Sequence, residues 1–138
     1  MFEYQCKIVK VVDGDTVDVD IDLGFDVVLR NQRIRLYGID TPESRTRDKE
    51  EKKYGLYAKN YLKNALGKTG IIRTKKDGRG KFGRILGEFM IYDGETDSYR
   101  SVNAMMIEKH IGVEYHGQSK DEIAEQHVKN REFIDLGQ

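Results

Sequence analysis

The chain has 138 residues, 38% of them hydrophobic and 35% charged, which is the composition of one globular domain with a wet surface. No apolar run approaches the roughly 20 residues that span a bilayer, so we expect no membrane partner. The net charge is zero and Cys6 is the single cysteine, which argues against a protein that coats a polyanion and excludes an intrachain disulfide.

The charge is distributed unevenly along the chain. Residues 44–90 hold 14 basic and 5 acidic residues, whereas the segments on either side are acidic. Such a basic middle can present a cationic face to a phosphate backbone. A solvated, lysine-rich helix and loop would explain the same pattern, so charge alone leaves both interpretations open.

The first two predicted elements are strands joined by a turn. Residues 4–12 read as a strand that ends at Asp13-Gly14, and residues 16–23 then alternate strictly between polar and apolar. The apolar face of this second strand carries Val17, Val19, Ile21 and Leu23. Asp15 shares their parity and is therefore expected to point toward the packed side.

Five carboxylates crowd into residues 13–22, a density that suggests a calcium-binding loop. That motif requires Gly at its sixth position and Glu at its twelfth. Counted from Asp18, Gly24 is seventh and Leu29 is twelfth, and counted from Asp13 the sixth residue is again Asp18. We therefore exclude a self-contained calcium loop. Asp13 is expected to bond its own backbone, and the polar-face carboxylates, Asp18, Asp20 and Asp22, to be simply solvated.

The later elements alternate between strands and helices. Strands are predicted at 26–30 and 32–39 with a turn at Asn31-Gln32, at 71–75 and at 85–93, and helices at 54–66, at 101–110 capped by Ser101, and after the capping box at 119–122. There is no internal repeat and no linker, so we expect one domain over 1–138. About five short strands favour a small closed β-barrel with packed helices, because closure hides the strand edges.

Two further segments carry groups suited to chemistry. The strand that contains Arg35 runs into a turn that carries Asp40, Thr41 and Glu43, and a Gly-rich basic loop ends at Arg84. Carboxylate oxygens suit Ca²⁺ or Mg²⁺, two arginines suit a phosphate, and a further carboxylate can orient or deprotonate a water. A structural Arg–Asp pair is the alternative interpretation. Arg35 and Asp40 have opposite parity in a regular strand, so a bulge near Gly38 is needed to bring them together.

These segments together resemble the thermonuclease family, that is, the staphylococcal nuclease-like domain. The matching pieces are VVDGDTVDV, RLYGIDTPE, KYGLYAKNYL, KFGR and VNAMMIEKHIGVEY, in family order over roughly residues 5–128. The resemblance implies an α+β fold, an OB-fold five-stranded β-barrel with three packed α-helices. It also implies a calcium-dependent enzyme that hydrolyses DNA and RNA phosphodiesters at the P–O5′ bond and leaves 3′-phosphate products.

The resemblance also implies roles for individual residues. Asp15 and Asp40 resemble the carboxylate ligands of the calcium ion, and Thr41 resembles the residue that gives it a backbone carbonyl. Glu43 resembles the residue that activates or orients the attacking water. Arg35 and Arg84 resemble the pair that grips the scissile phosphate.

The sequence departs from the family where the substrate would be held. Lys81, Phe82 and Tyr115 are candidate substrate contacts, but Phe82 lacks the usual tyrosine hydroxyl and Gly117 replaces a second stacking aromatic. A catalytically weak or inactive OB-fold module that binds nucleic acid or protein is therefore the alternative function.

The remaining expectations concern partners and location. We expect single-stranded or accessible nucleic acid as substrate, no obligate protein partner and a monomer. The N-terminus shows no secretory signal, so we expect a cytoplasmic location unless a signal was removed. No histidine spacing predicts a metal site.

Overall fold

The computed structural model describes residues 2–79 and 84–137, with only the backbone described for residues 76–79. In these ranges the chain forms eight strands and three α-helices. The strands are β1 (Phe2–Asp13), β2 (Thr16–Asp22), β3 (Val28–Leu36), β4 (Ile39–Asp40), β5 (Thr69–Arg79), β6 (Ile85–Asp93), β7 (Ser98–Ser101) and β8 (Val113–Glu114). The helices are α1 (Lys49–Leu66), α2 (Val102–Glu108) and α3 (Lys120–Asn130), with a 3-10 turn at Arg131–Phe133. No helix of the described residues is long and apolar enough to cross a membrane.

Five strands close into a ring in the order β1, β2, β3, β6, β5. Neighbouring strands of the ring are antiparallel, except that β3 and β6 are parallel through the pairs Ile34–Ile85 to Leu36–Gly87. Strand β7 extends the sheet from the far half of β6. The α+β fold with a five-stranded barrel and three helices is therefore confirmed.

The barrel is filled by the apolar faces that the sequence pattern predicts. Val17, Val19 and Ile21 of β2 are at most 2% exposed, and helix α1 covers the barrel with Ala58 and Leu62, both fully buried. The prediction for Leu23 is wrong, because β2 ends at Asp22 and Leu23 is 38% exposed. Burial of this kind is the main stabilising contribution in a domain of this size. The other fully or nearly fully buried side chains are Ile34, Leu36, Ile39, Ile72, Phe89, Val102 and Met106.

The turn predicted at Asn31-Gln32 is wrong, because β3 runs through it as one strand. Asn31 has a φ of 52°, and the β2–β3 register shifts between the pairs Val19–Gln32 and Ile21–Leu29, so that β3 carries one extra residue in a β-bulge. The Asn31 N–H donates to Asp20 Oδ1 at 2.9 Å, so a side chain of β2 stabilises the bulge. The chain instead reverses at residues 24–26, which all have positive φ. Asparagine tolerates this left-handed conformation, so the residue that suggested a turn serves a bulge.

Helix α1 begins at Lys49, five residues before the predicted start at Tyr54. Asp48 is its N-cap and accepts hydrogen bonds from the N–H groups of Glu50 and Glu51. The first turn is polar throughout, so it shows no apolar periodicity, but capping and the two acidic residues near the helix N-terminus stabilise it. The predicted caps at Ser101 and Ser119 are confirmed, since each side chain accepts a hydrogen bond from the first turn of its helix.

Candidate active site

Arg35 lies at the centre of the candidate site. Its Nη1 donates to the backbone carbonyls of Leu36 at 2.8 Å and Ile39 at 2.7 Å. Its Nη2 lies 3.5 Å from Asp15 Oδ2 and 3.4 Å from Asp40 Oδ1. One guanidinium therefore joins two carboxylates that are 25 residues apart in sequence. The side chains of Arg35 and Asp15 are only 14% and 15% exposed, so water screens this pair weakly.

The turn after β3 solves the parity problem between Arg35 and Asp40. Gly38 has a φ of 76°, which an L side chain adopts only with strain, and the strand direction changes there. Strand β4 then pairs with β8, and the Tyr115 N–H donates to the Gly38 carbonyl at 2.8 Å. The bulge predicted near Gly38 is instead a turn between β3 and β4, and this turn brings Asp40 to the same guanidinium as Asp15.

Asp15 is held on its second side by the segment after β4. Its Oδ2 accepts the Thr41 N–H at 3.2 Å, and its Oδ1 accepts the Thr16 hydroxyl at 3.1 Å. The Thr41 side chain is buried, and its Oγ1 has no hydrogen-bond partner among the described residues. A Cβ added to Gly14 would lie 2.8 Å from that Oγ1, so the β1–β2 turn approaches Thr41 more closely than any residue but glycine allows.

Glu43 is exposed between the buried residues Pro42 and Ser44, and its backbone rests against α1 at Gly55. Partial desolvation of its carboxyl, followed by the negative charges of Asp15, Asp13, Asp40 and Glu51, raises the pKa of Glu43 above its ordinary value. Because the charges of Asp15 and Asp40 contribute to this shift, the Glu43 carboxyl lies within electrostatic reach of both candidate calcium ligands. A carboxyl whose pKa is shifted toward neutrality is a better proton acceptor at neutral pH than an ordinary one.

The sequence predicted that the Asp13 side chain bonds its own backbone, and this prediction is wrong. The side chain instead contacts the loop after Glu43. It accepts a hydrogen bond from the Ser44 hydroxyl, and its Oδ2 lies 3.1 Å from Arg45 Nη2. Ser44 is buried, so this contact fixes the loop that carries Glu43 relative to the β1–β2 turn that carries Asp15. The sequence could not indicate this, because 31 residues separate the two partners of the shorter bond.

The donor chemistry of this cluster fits a hard cation. Two carboxylates and the neighbouring Thr41 carbonyl are oxygen ligands of the kind that Ca²⁺ takes, and the negative charges of both carboxylates contribute, after desolvation, to the raised pKa of Glu43. Among the described side chains, those of residues 2–75 and 84–137, no group of three or more His, Cys, Asp or Glu residues is arranged to hold a metal. Asp15 and Asp40 would therefore need ligands beyond protein carboxylates.

The candidate substrate residues are only partly described. Lys81 and Phe82 lie outside the described residues. Arg84 is partly buried and directly precedes Ile85, whose pairing with Ile34 brings the start of β6 beside the strand of Arg35. Tyr115 is 42% exposed, and so its ring is accessible.

Gly117, which stands where the family has a second stacking aromatic, has a φ of 95°. An aromatic side chain would be strained in that conformation. Glycine at this position therefore fits the backbone conformation that the chain adopts here.

The polar-face carboxylates of β2 are not simply solvated, which corrects the sequence prediction. Asp18 pairs with Arg33 through two contacts of 2.9 and 3.1 Å, and Asp20 lies 3.6 Å from Arg30. Asp22 accepts the Gly24 N–H at 2.8 Å at the start of the hairpin turn. These carboxylates contact β3 and the turn, and none of these contacts involves the Arg35 cluster.

Two residues of the site went unrecognised in the sequence. His127 of α3 places its Nε2 2.8 Å from Asp40 Oδ2. Asn103 of α2 is buried and donates to the carbonyls of Tyr37 at 2.9 Å and Gly87 at 3.2 Å, which ties β6 to the turn before Asp40. Neither residue belongs to a local spacing pattern, and although Asn103 lies within the family-like piece VNAMMIEKHIGVEY, nothing in that piece assigned it to the site.

Comparisons with known proteins show which family the chain resembles. Residues 33–133 match a family described as "Staphylococcal nuclease homologue". The chain is 28% identical over 124 residues to protein ParB of Escherichia coli, covering 86% of this chain and 63% of that protein. It is 27% identical over 120 residues to endonuclease YhcR of Bacillus subtilis (strain 168), covering 82% and 9%. It is 35% identical over 78 residues to the thermonuclease of Staphylococcus intermedius, covering 56% and 43%. The chain thus spans less than two thirds of the length of each of these relatives.

Proposed function

This chain belongs to the family of staphylococcal nuclease homologues, and we propose on that basis that it is a calcium-dependent nuclease. Its substrates are DNA and RNA, and it hydrolyses the P–O5′ bond to leave 3′-phosphate ends. The observation that carries the proposal is the Arg35 cluster, in which one guanidinium contacts both Asp15 and Asp40 while Glu43 lies within their field. Relatives whose names include an endonuclease and a thermonuclease support the same class of reaction.

Arg35 is suited to change partners when a phosphate arrives. Its Nη1 is fixed by two short bonds to backbone carbonyls, whereas its Nη2 contacts carboxylates at 3.4–3.5 Å, beyond the range of a good hydrogen bond. The carbonyls thus hold the guanidinium in place without occupying Nη2. A phosphate oxygen can then accept hydrogen bonds from Nη2, and the guanidinium stabilises the negative charge that develops on the phosphate.

Glu43 is the proton acceptor in this proposal. The water oxygen forms a bond to phosphorus, its proton passes to the Glu43 carboxylate, and the P–O5′ bond breaks. The electron pair of that bond leaves on O5′, which takes a proton from solvent. Arg84 directly precedes the strand that pairs with the strand of Arg35 and would stabilise that charge.

The calcium site in this proposal consists of Asp15, Asp40 and the carbonyl of Thr41. When bound, the ion would supply positive charge against the carboxylates of the site and a binding position for a phosphate oxygen. The buried environment of Asp15 makes an uncompensated charge costly there, which favours a cation at this position.

The substrate contacts follow from the same cluster. Tyr115 is accessible for base stacking, and we place Lys81 and Phe82 beside the substrate from the sequence pattern alone. The basic stretch at residues 44–90 provides sequence-independent attraction to the backbone of a single-stranded or accessible nucleic acid. No obligate protein partner is part of the proposal, and the active form is a monomer.

The test is hydrolysis of plasmid DNA and of RNA with calcium, with and without a chelator, followed by analysis of the product ends. We expect calcium-dependent cleavage that leaves 3′-phosphates and that is lost in Glu43→Gln. Asp22→Asn is the matched control, because it removes a carboxylate that does not contact the cluster. Binding of nucleic acid without turnover under any divalent ion would support the alternative, a binding module, and full activity of Glu43→Gln would refute the assigned role.

A further inference from the structure

Helix α3 contacts the candidate metal site through a single histidine. His127 is 8% exposed, and its Nε2 lies 2.8 Å from Asp40 Oδ2. We propose that His127 is a positioning residue that fixes the Asp40 carboxylate for calcium, so that metal affinity depends on this helix. The inference rests on the proposed function and adds a residue that its mechanism does not use.

The two oxygens of Asp40 are held unequally. Oδ1 lies 3.4 Å from Arg35 Nη2, a loose contact, whereas the Oδ2 contact with His127 is short. An ionised carboxylate only accepts hydrogen bonds, so Nε2 carries the hydrogen in this pair. The orientation of the Asp40 carboxylate is therefore determined mainly by His127 and only weakly by Arg35.

The environment of the ring shows that the contact is specific. His127 Nδ1 is buried and has no hydrogen-bond partner among the described residues. A buried nitrogen without a partner costs free energy, so a residue needed only for packing at this position would be better apolar. The Nε2 bond to Asp40 is the compensating interaction that the structure shows.

The backbone of Asp40 is held by little else. Strand β4 has two residues and pairs with β8 through two residue pairs. A side-chain contact that reaches from a helix 87 residues away therefore supplies orientation that this short ladder cannot. Hydrogen bonds from a second layer of residues orient metal-binding carboxylates in the same way, and their loss typically costs about 10- to 100-fold in metal affinity.

Helix α3 itself offers a matched control. Asn130 is buried one turn after His127, and its side chain donates to the Gly112 carbonyl at 3.4 Å. Asn130→Ala should loosen the same helix without removing a contact to Asp40. It separates loss of helix packing from loss of the bond to the carboxylate.

The first experiment compares calcium affinity in wild type, His127→Leu, His127→Gln and Asn130→Ala by isothermal titration with calcium alone. Gln retains an amide N–H close to the position of Nε2, and Leu retains bulk without a donor. We expect the calcium Kd to rise about 10-fold or more in His127→Leu and to stay within about 3-fold of wild type in His127→Gln, following the range for such second-layer contacts. Asn130→Ala should lower the melting temperature and leave the Kd unchanged. An unchanged Kd in His127→Leu, or an equal rise in Asn130→Ala, would overturn the inference.

The second experiment needs neither metal nor substrate. In chelator, the melting temperatures of His127→Leu, Asp40→Ala and the double variant form a cycle that measures the contact itself. We expect the double variant to melt close to the less stable single variant. Strictly additive losses would overturn the inference whatever the activity of the protein. A different outcome is that the losses are coupled but the wild-type protein neither binds calcium nor cleaves nucleic acid. That outcome would refute the proposed function, and with it the role of His127 toward calcium.

Discussion

Gly55 of helix α1 is the point where the helix touches the loop that carries Glu43. A Cβ added there would overlap the Glu43 carbonyl and lie 2.6 Å from the Ser44 backbone nitrogen. Both neighbours are main-chain atoms, so they cannot rotate away as a side chain could. In an exposed helix interior, Gly→Ala gains about 1 kcal/mol from helix propensity. At Gly55 we expect the opposite sign.

The magnitude follows from two opposing contributions. Overpacking of a filled site typically costs about 1–3 kcal/mol, against the propensity gain of about 1 kcal/mol. Gly55→Ala should therefore lower the free energy of unfolding by up to about 2 kcal/mol. With a urea m-value of about 2 kcal/mol/M, the midpoint should fall by up to about 1 M. The overlap is relieved when the loop moves away from the helix, and a displacement of Glu43 by about 1 Å can cost about 100-fold in kcat.

The assay pairs urea unfolding with kcat on single-stranded DNA. Gly94→Ala is the control, because a Cβ at Gly94 meets no atom within 4 Å. We expect that variant to be neutral or stabilised by about 0.4–1 kcal/mol through the unfolded chain, with unchanged kcat. A Gly55→Ala protein that is as stable as wild type and retains its kcat would refute the reasoning.

Three further predictions concern the same site. Asp15→Asn should reduce calcium-dependent cleavage at least about 100-fold, while Asp22→Asn leaves it intact, as measured by calcium titration of the hydrolysis rate. Because the folded-state pKa of Glu43 is raised, ionisation of this residue costs stability once the pH exceeds the ordinary glutamate pKa. Glu43→Gln should therefore need more urea to unfold at pH 7, with a free energy of unfolding higher by about a few tenths of a kcal/mol because the residue is exposed. The two proteins should be equally stable at pH 3, and a less stable variant at pH 7 would contradict this prediction. Asn103→Ala leaves buried backbone groups of the barrel unsatisfied and should cost about 2–3 kcal/mol in thermal or urea unfolding.

The strict alternation of residues 16–23 carried most of the information about the fold. A period of two places Val17, Val19 and Ile21 on one face, and these side chains are buried as the pattern requires. The same parity turns Asp15 toward Arg35. Periodicity is a local property, so it can be read without knowledge of the partner strands.

The errors in the predicted elements arose where the same local sequence signal is compatible with two kinds of local structure. Asn31 adopts the left-handed conformation of a turn residue, but it occupies a bulge, because only the register with β2 distinguishes the two. The first turn of α1 is polar on all sides, and its start is indicated by the Asp48 cap instead of by periodicity. Apolar spacing predicts packing faces, and it carries no information about a helix turn that packs against nothing.

The contacts that organise the site were beyond sequence reasoning for a different reason. Asp13 with Ser44 and His127 with Asp40 join residues that are 31 and 87 positions apart. No periodic pattern connects such pairs, and a lone buried histidine is ambiguous until its neighbours are known. The motif residues themselves could be named in advance because the family resemblance supplies them.

The parallel pairing of β3 with β6 has a consequence for how the molecule folds. This pairing closes the ring, and it joins residues 34–36 to residues 85–87, about 50 positions later. The β1–β2 hairpin and the β5–β6 pair are local, whereas the β1–β5 and β3–β6 pairings that complete the ring must both overcome the entropy of a long loop. Arg35 and the start of β6 meet only when β3 pairs with β6. During refolding, hydrolytic activity should therefore return after most of the far-ultraviolet circular dichroism signal. The recovery of activity would then report the rate of ring closure.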